Sequence, residues 1–528
     1  MPRAPVAPAT GHPGNGPAFP ERSRVLGRTT GAVLIGIEAC LIDVEADVGA
    51  GLPTISAVGL PDLAVREGID RVRAALGNAG FRLPEGRLVI NLAPADVRKH
   101  GASLDLPIAV SILLAGGKLA GFSGGATVLA GELALDGTLR PVRGTLSIAL
   151  AAREAGAACI VVPQANREEA ALVSGIEVLG AATLADVAAC ATRAARPQPR
   201  TDPCALLDVA RKQARSEDLA EVRGQPIARR ALEVAAAGGH HLLLCGPPGA
   251  GKTMLARRLP GILPPLHIDE ALEVTRIHSA VIGVAGLVAE RPFRAPHHGV
   301  SFAGMSGGGR SIRPGEISLA THGVLYLDEL PEFRRDALES LRQPLEEGRI
   351  TVVRLHASAT LPAEFMLVAS MNPCPCGYHG EAERTCACSP AMIRRYRGRV
   401  SGPLLDRFDL RVDVPAPDAR ELTAGEPGET SADVGSRVAR ARARQRERFG
   451  RSGPCANARM TPTDLDRFAP LGVEERRLVD LAWDRLGLSA RGFHKIRRVA
   501  RTVADLDGST RVRSDHIAEA MQYRPARE

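Results

Sequence analysis

The stretch that most restricts this chain is HLLLCGPPGAGKTMLARRLP, residues 241–260. An apolar run, His241–Cys245, leads into Gly246, Pro247, Pro248, Gly249, Ala250, Gly251, Lys252 and Thr253, and an amphipathic helix pattern follows. Strand, glycine-rich loop and helix in that order are the setting in which such a loop binds phosphate. Glycines let backbone N–H groups close round an anion, and the positive end of the helix adds to the attraction. The eight loop residues are expected to wrap a nucleotide, with Lys252 reaching the β- and γ-phosphates and Thr253 ligating Mg²⁺. An α/β core is predicted beneath them.

Two further apolar runs complete the pattern. GVLYLDEL ends in Asp328 and Glu329. A carboxylate at the end of such a strand is where Mg²⁺ finds its protein ligand, which assigns Asp328 to the metal and Glu329 to polarising the attacking water. FMLVAS leads to Met371 and Asn372. Directly behind comes NPCPCGYHGEAERTCACSP, which holds four of the chain's ten cysteines, Cys374, Cys376, Cys386 and Cys388. Four thiolates over so short a span can close a tetrahedral structural zinc site and brace the loop behind Asn372, although Cys-x-Cys is tighter than the usual spacer.

At 528 residues the chain is too long for one core. A tail (1–25), an α/β domain (26–195), a proline-marked linker (196–215), a second α/β domain (216–420) and a helical C-terminal segment (421–528) are expected. One Trp and four Tyr argue against aromatic platforms for single-stranded nucleic acid. Residues 391–528 hold 28 Lys/Arg against 20 Asp/Glu, an excess equal to the whole chain's formal charge of +8, so a polyanionic partner would meet the C-terminal third. The longest apolar run, LPIAVSILLAGG from Leu106, is flanked by Asp105 and Lys118, and the proline- and glycine-rich start has no apolar signal core. A cytoplasmic protein with reduced thiols and no membrane contact is expected.

The longer strings point to one family. GLPDLAVREGIDRVRAAL and GASLDLPIAVSILLA precede the phosphate loop, and FRAPHH, MNPCPCG, RVSGPLLDRFDL and LSARGFHKIRRVARTVADL follow it. Together they resemble the magnesium-chelatase-like AAA+ proteins of the YifB/ComM type over nearly everything beyond the tail. The resemblance implies a ribosomal-S5/Lon-protease-like N-terminal domain, an AAA+ module of the helix-2-insert group and a helical lid. It implies ATP and Mg²⁺ as cofactors, a homohexameric ring, and DNA as the polymer worked upon, with branch-migration helicase activity in recombination or natural transformation. By the same resemblance Asn372 orients the attacking water, Arg407 is the finger inserted into the neighbour's site, and Arg491 is a second sensor arginine.

Three alternatives stand beside that reading: a protein-remodelling ATPase, a chelatase motor for porphyrin metallation, and an ATP-dependent protease. The protease is disfavoured by the residues. Its nucleophile position falls at Leu106 and its lysine at Ser147, while Ser103 is out of register. Chelatase motors are expected to lack the large N-terminal domain. For DNA contact, RITVVRLHASATLP (349–362) reads as a hairpin presenting Arg349 and Arg354 to phosphates. The insert with Arg294, His297, His298 and the tail GMSGGGRS is a second candidate, and the His pair reads equally as structural, hydrogen-bonded within the insert. RVARARARQRERF (437–449) places six arginines on one helix, read as a solvated face in preference to a phosphate rail.

Overall fold

A computed structural model describes residues 26–122, 126–192, 202–213, 217–284, 286–309, 312–354, 357–381, 384–417, 428–450, 455–486 and 489–524. The expected tail, and 196–201 and 214–215 of the expected linker, lie outside these residues. The rest of the linker stretch forms a helix, Pro203–Gln213. Its Leu207 is buried with Leu266, Ala271 and Val274. The prolines of 195–203 mark a linker, yet ALLDV is apolar and Pro203 at the first helical position breaks nothing.

The N-terminal region is a mixed sheet of seven strands. They are β1 (Gly27–Ile35), β2 (Glu38–Gly49), β3 (Thr54–Val58), β4 (Arg87–Ala93), β5 (Thr127–Leu129), β8 (Cys159–Pro163) and β9 (Glu177–Ala181), with a small hairpin, β6 (Glu132–Leu133) and β7 (Leu139–Arg140), beside them. The order is β3-β4-β2-β1-β5-β8-β9. Only the β1–β2 and β2–β4 pairings within that sheet are antiparallel. Side chains alternate between two cores, as a strand's period of two requires. Val33, Leu129 and Val161 pack with helices Leu63–Asn78 and Asp105–Ala115, whereas Ala32, Val128 and Ile160 pack with helix Thr145–Glu154. The long apolar run from Leu106 is thus a core helix, buried from Asp105 to Leu113. No described helix is long and apolar enough to cross a membrane.

The second sheet is wholly parallel: β10 (Leu242–Cys245), β11 (Phe293–Arg294), β12 (Val324–Leu327), β15 (Met366–Met371) and β16 (Leu410–Asp413), ordered β11-β12-β15-β10-β16. Strands buried on both faces are continuously apolar, and every residue of β12 and β15 is buried. This α/β arrangement with a parallel sheet is consistent with the expected P-loop AAA+ module. A separate antiparallel pair, β13 (Arg349–Arg354) and β14 (Ala357–Pro362), forms the expected hairpin. C-terminal to the sheet lie helices Ser431–Phe449, Pro462–Phe468, Val473–Leu486, Ala490–Leu506 and Ser514–Gln522. Val438, Ala441, Val499 and Val503 join one core with β10 and helix Pro226–Gly238.

The two sheets are stitched through helix Ile268–Val281. Ser279 Oγ donates to Glu169 Oε1 at 2.5 Å and accepts from the Gly144 N–H at 2.9 Å. Arg276 donates to Ser147 Oγ at 3.1 Å and pairs with Glu38. Ile37, from the turn between β1 and β2, sits in the second sheet's core.

Candidate nucleotide site and cysteine cluster

Because β10, β12 and β15 run in parallel, their C-terminal ends deliver three loops to one edge. β10 opens into the phosphate loop. Gly249 and Gly251 hold φ of +80° and +84°, the left-handed region that a side chain disfavours. At Gly246 the constraint is space, since a Cβ there would lie 2.1 Å from the Val414 carbonyl oxygen. Lys252 begins the helix Lys252–Ile262 and is buried. Its Nζ donates to the carbonyls of Gly246 at 2.6 Å and Pro247 at 2.8 Å, and to Asn372 Oδ1 at 3.0 Å. Burial lowers the Lys252 pKa, against the pull of Asp328 and Glu329.

Asp328 is the most heavily hydrogen-bonded carboxylate of this edge. It accepts from Thr253 Oγ1 at 2.8 Å, from Tyr326 OH at 2.9 Å and from Ser370 Oγ. Burial alone would raise its pKa, but these donors outweigh burial and hold it below the usual carboxylate range. An ionised carboxylate beside a threonine hydroxyl is a donor set that fits Mg²⁺. Glu329 stands at φ +55°, ψ +52°, a strained backbone for a residue with a side chain, and its N–H donates to Ser370 Oγ at 3.2 Å. A cleft of about 500 Å³ is lined by Thr253, Arg257, Tyr326, Asp328 and Glu329 together with His297 and His298. The His pair, placed among DNA candidates in the sequence, therefore faces the nucleotide edge, with ring centroids 4.0 Å apart.

Arg407 and Arg491, expected as finger and sensor, sit apart from this network in a single chain. Arg407 follows helix Gly402–Leu405, donates to the Pro403 carbonyl at 2.6 Å and pairs with Glu346. Arg491 is exposed in the first turn of helix Ala490–Leu506, whose cap is Ser489. Tyr326, Ser370 and Arg257 were missed in the sequence. The first two carried a signal, because every second residue along VLYLD and one position before MN must share the face of Asp328. Lys495 was missed too. It donates to the Phe408 carbonyl at 3.0 Å and lies 3.4 Å from Asp409, tying the Arg491 helix to the Arg407 segment.

The four cysteines converge. Their Sγ atoms all lie within 4.8 Å of one another. Cys374–Cys376, Cys374–Cys386 and Cys376–Cys386 separations are 3.3, 3.7 and 3.6 Å. A tetrahedron with metal–sulfur bonds of about 2.3 Å has edges of roughly 3.8 Å, so the set fits a thiolate-bound metal.

The polyanion candidates fare differently. Arg349 and Arg354 are exposed on the hairpin, and a Cβ at Gly308 of the glycine-rich segment would lie 2.3 Å from the Arg354 guanidinium, so both candidate segments meet. Arg294 is instead engaged by Glu316 at 2.7 and 2.9 Å. The arginine-rich helix is a solvated face only in part: Arg440, Arg444 and Arg446 are exposed, whereas Arg437, Arg442 and Arg448 are half-buried. Arg437 pairs with Glu233 and Glu429, Arg442 donates to the Ala236 carbonyl at 3.2 Å, Arg444 to that of Asp505 at 2.5 Å, Arg446 contacts His267, and Arg448 pairs with Asp505. Apart from Glu429, these partners lie 57 to 206 residues away, beyond what sequence periodicity can reveal. In the N-terminal region Leu106 is fully buried, Ser147 Oγ donates to the Ile37 carbonyl at 2.5 Å, and Ser103 Oγ donates to that of Ala32 at 2.8 Å.

The chain is similar to known proteins over most of its length. The chain is 44% identical over 494 residues to the competence protein ComM of Haemophilus influenzae, covering 93% of this chain and 96% of that one. It is 44% identical to the uncharacterized protein YifB of Escherichia coli over 93% of this chain and 95% of that one. The chain belongs to the YifB/ComM family of magnesium-chelatase-like proteins. Residues 218–422 match the family described as magnesium chelatase, subunit ChlI, residues 44–166 that described as subunit ChlI of Mg-chelatase, and residues 428–524 that described as magnesium chelatase, subunit ChlI C-terminal. A more distant relative, the magnesium-chelatase 38 kDa subunit of Rhodobacter capsulatus, is 26% identical over 52% of this chain and 77% of its own length. The match at 44–166 means that the N-terminal region, expected to set the chain apart from chelatase motors, itself falls under a chelatase-named family.

Proposed function

We propose that the chain hydrolyses ATP as a ring, a homohexamer, and applies the resulting motion to DNA, as a branch-migration helicase in recombination or transformation. The observation that carries the ATPase part is the joined network Asn372–Lys252–phosphate loop and Thr253–Asp328 at one sheet edge. Lys252 and the loop N–H groups bind the phosphates, and Thr253 and Asp328 hold Mg²⁺, which supplies charge neutralisation when bound. Glu329 takes the proton of the attacking water, Asn372 orients that water, Arg491 senses the nucleotide from the helical lid, and Arg407 leaves Glu346 to complete the site of the neighbouring copy. The four cysteines hold a structural Zn²⁺. The N-terminal sheet, read as S5/Lon-protease-like, serves assembly without proteolysis, and the protein works in the cytoplasm.

DNA is favoured by the exposed Arg349 and Arg354 on a hairpin beside the glycine-rich segment and by the name of the Haemophilus relative, a competence protein. The test is ATP turnover with single-stranded, duplex and four-way DNA. Lys252→Ala should abolish turnover, and branched DNA should stimulate the unaltered chain. Neutralising Arg349 and Arg354 should flatten the log–log salt slope of binding by about 0.7–0.9 for each phosphate no longer neutralised. Turnover indifferent to every DNA would sink the polymer assignment. The chelatase-named matches keep one other reading in view, and stimulation by porphyrin-metallation partners would favour it.

A further inference from the structure

The cysteine cluster is wired to the phosphate loop from two sides. At its N-terminal end Asn372, two residues before Cys374, accepts the Lys252 ammonium at 3.0 Å. Inside the cluster Gly377, next to Cys376 and at φ +88°, lies so close to the loop that a Cβ would stand 2.4 Å from Pro248 Cδ and 2.8 Å from its Cγ. Pro248 follows directly on Pro247, whose carbonyl receives Lys252. Cys374 is fully buried between these contacts. At the far end, helix Pro390–Arg397 returns to the same place, with Arg397 Nε donating to the Pro373 carbonyl at 3.1 Å.

The segment 373–389 has no core of its own. Among its described positions only Cys374 and Gly377 are buried, and the others are half-buried or exposed. A loop of this kind holds one shape only when cross-linked, and four thiolates within 4.8 Å provide the cross-link once they share a soft tetrahedral cation. Without that cation no bond joins the four cysteines, and the loop is freed from both of its contacts with the phosphate-binding residues.

We propose that the four cysteines, closed on a zinc(II) ion, clamp the phosphate loop from outside. Zinc occupancy then sets nucleotide affinity by keeping Gly377 against Pro248 and Asn372 against Lys252. The inference rests on the nucleotide reading of the loop and on the zinc reading of the cysteines, and it adds a coupling between them. The clamp is built from positioning residues; none of the cysteines touches the phosphates.

The test uses the full chain purified without chelator, with metal content read by mass spectrometry and affinity read by titration of a fluorescent ADP analogue. Expected are one zinc per chain, an affinity at least about tenfold weaker after chelator treatment or in the Cys386→Ser/Cys388→Ser double variant, and a similar loss in Gly377→Ala with zinc retained. Gly377→Ala keeps all four ligands, so it separates the contact from the metal even if the cysteine variant fails to fold; thermal unfolding of each variant checks this. No zinc in the unaltered chain overturns the metal site and the clamp. Zinc present with unchanged affinity in Gly377→Ala and in chelated protein overturns the clamp alone. Zinc present in a chain that binds no nucleotide overturns the nucleotide reading, and the clamp falls with it.

Discussion

The two sheets are built from the same ingredients and differ in what their edges carry. In the five-stranded sheet every strand is parallel, so the phosphate loop, Asp328–Glu329 and Asn372 are delivered to one edge by β10, β12 and β15. In the seven-stranded sheet β2 runs against β1 and β4, loops leave at both ends, and polar groups are spent on docking. Glu169 is held by Ser279 of helix Ile268–Val281, Ser147 by Arg276, and the position expected of a protease nucleophile is filled by buried Leu106. Parallelism concentrates chemistry, and mixed direction disperses it.

The strongest way to break this contrast is to show that the parallel edge is complete in one chain. Arg407 rests on Pro403 and Glu346 of its own protomer. If it acts in a neighbour's cleft, Arg407→Ala should lower kcat by about 10³–10⁵, whereas nucleotide affinity stays nearly constant. Turnover per chain in the unaltered protein should also fall on dilution below the assembly concentration. Equal turnover in dilute and concentrated samples would make the site self-sufficient.

A smaller effect tests the docking side. Ser279→Ala removes the donor to Glu169, a carboxyl that burial already pushes above its usual pKa, and leaves it with the Leu146 N–H at 2.7 Å. Leaving that group short of a partner should cost about 2–3 kcal/mol of stability. ATP turnover of the folded fraction should not change. Denaturant titration reads the first and steady-state kinetics the second; a matching loss of turnover would tie the docking seam to the nucleotide edge and erase the contrast.

The same contrast explains what the sequence made legible. The strand–loop–helix pattern, the acids ending VLYL and the asparagine ending MLVAS are each local, and their placement on one edge follows from parallel strands alone. The cysteines could be grouped because they lie within fifteen positions. Residues whose role comes from a distant partner were not legible. Arg437 and Arg448 look identical on a helical wheel to solvated arginines, but Glu233 and Asp505 reach them from other helices. His297 and His298 were placed with the DNA candidates because nothing local shows that their loop folds back over Asp328. Helix Pro203–Gln213 was hidden by prolines that end just where it starts.

The smallest expected effect concerns the opposite edge of the parallel sheet. His241 stands at the base of β10, and its Nδ1 accepts the Leu367 N–H of β15 at 3.0 Å. Burial, partly offset by Asp409, lowers its pKa to about 4 from the usual 6.5. An accepting Nδ1 and a lowered pKa agree that the folded ring is neutral. Between pH 6.5 and 4 the unfolded chain binds a proton that the folded chain refuses, so this group's contribution is full above 6.5 and declines as pH falls. From about pH 7.5 to 5.0 it should lose at most about 2 kcal/mol. His241→Asn, which can keep an acceptor at the Leu367 N–H without a titrating ring, should flatten that part of the stability profile and leave kcat unchanged. The chemistry lies at the other end of the strands, and an acid-side slope that survives the substitution would assign it to some other buried group.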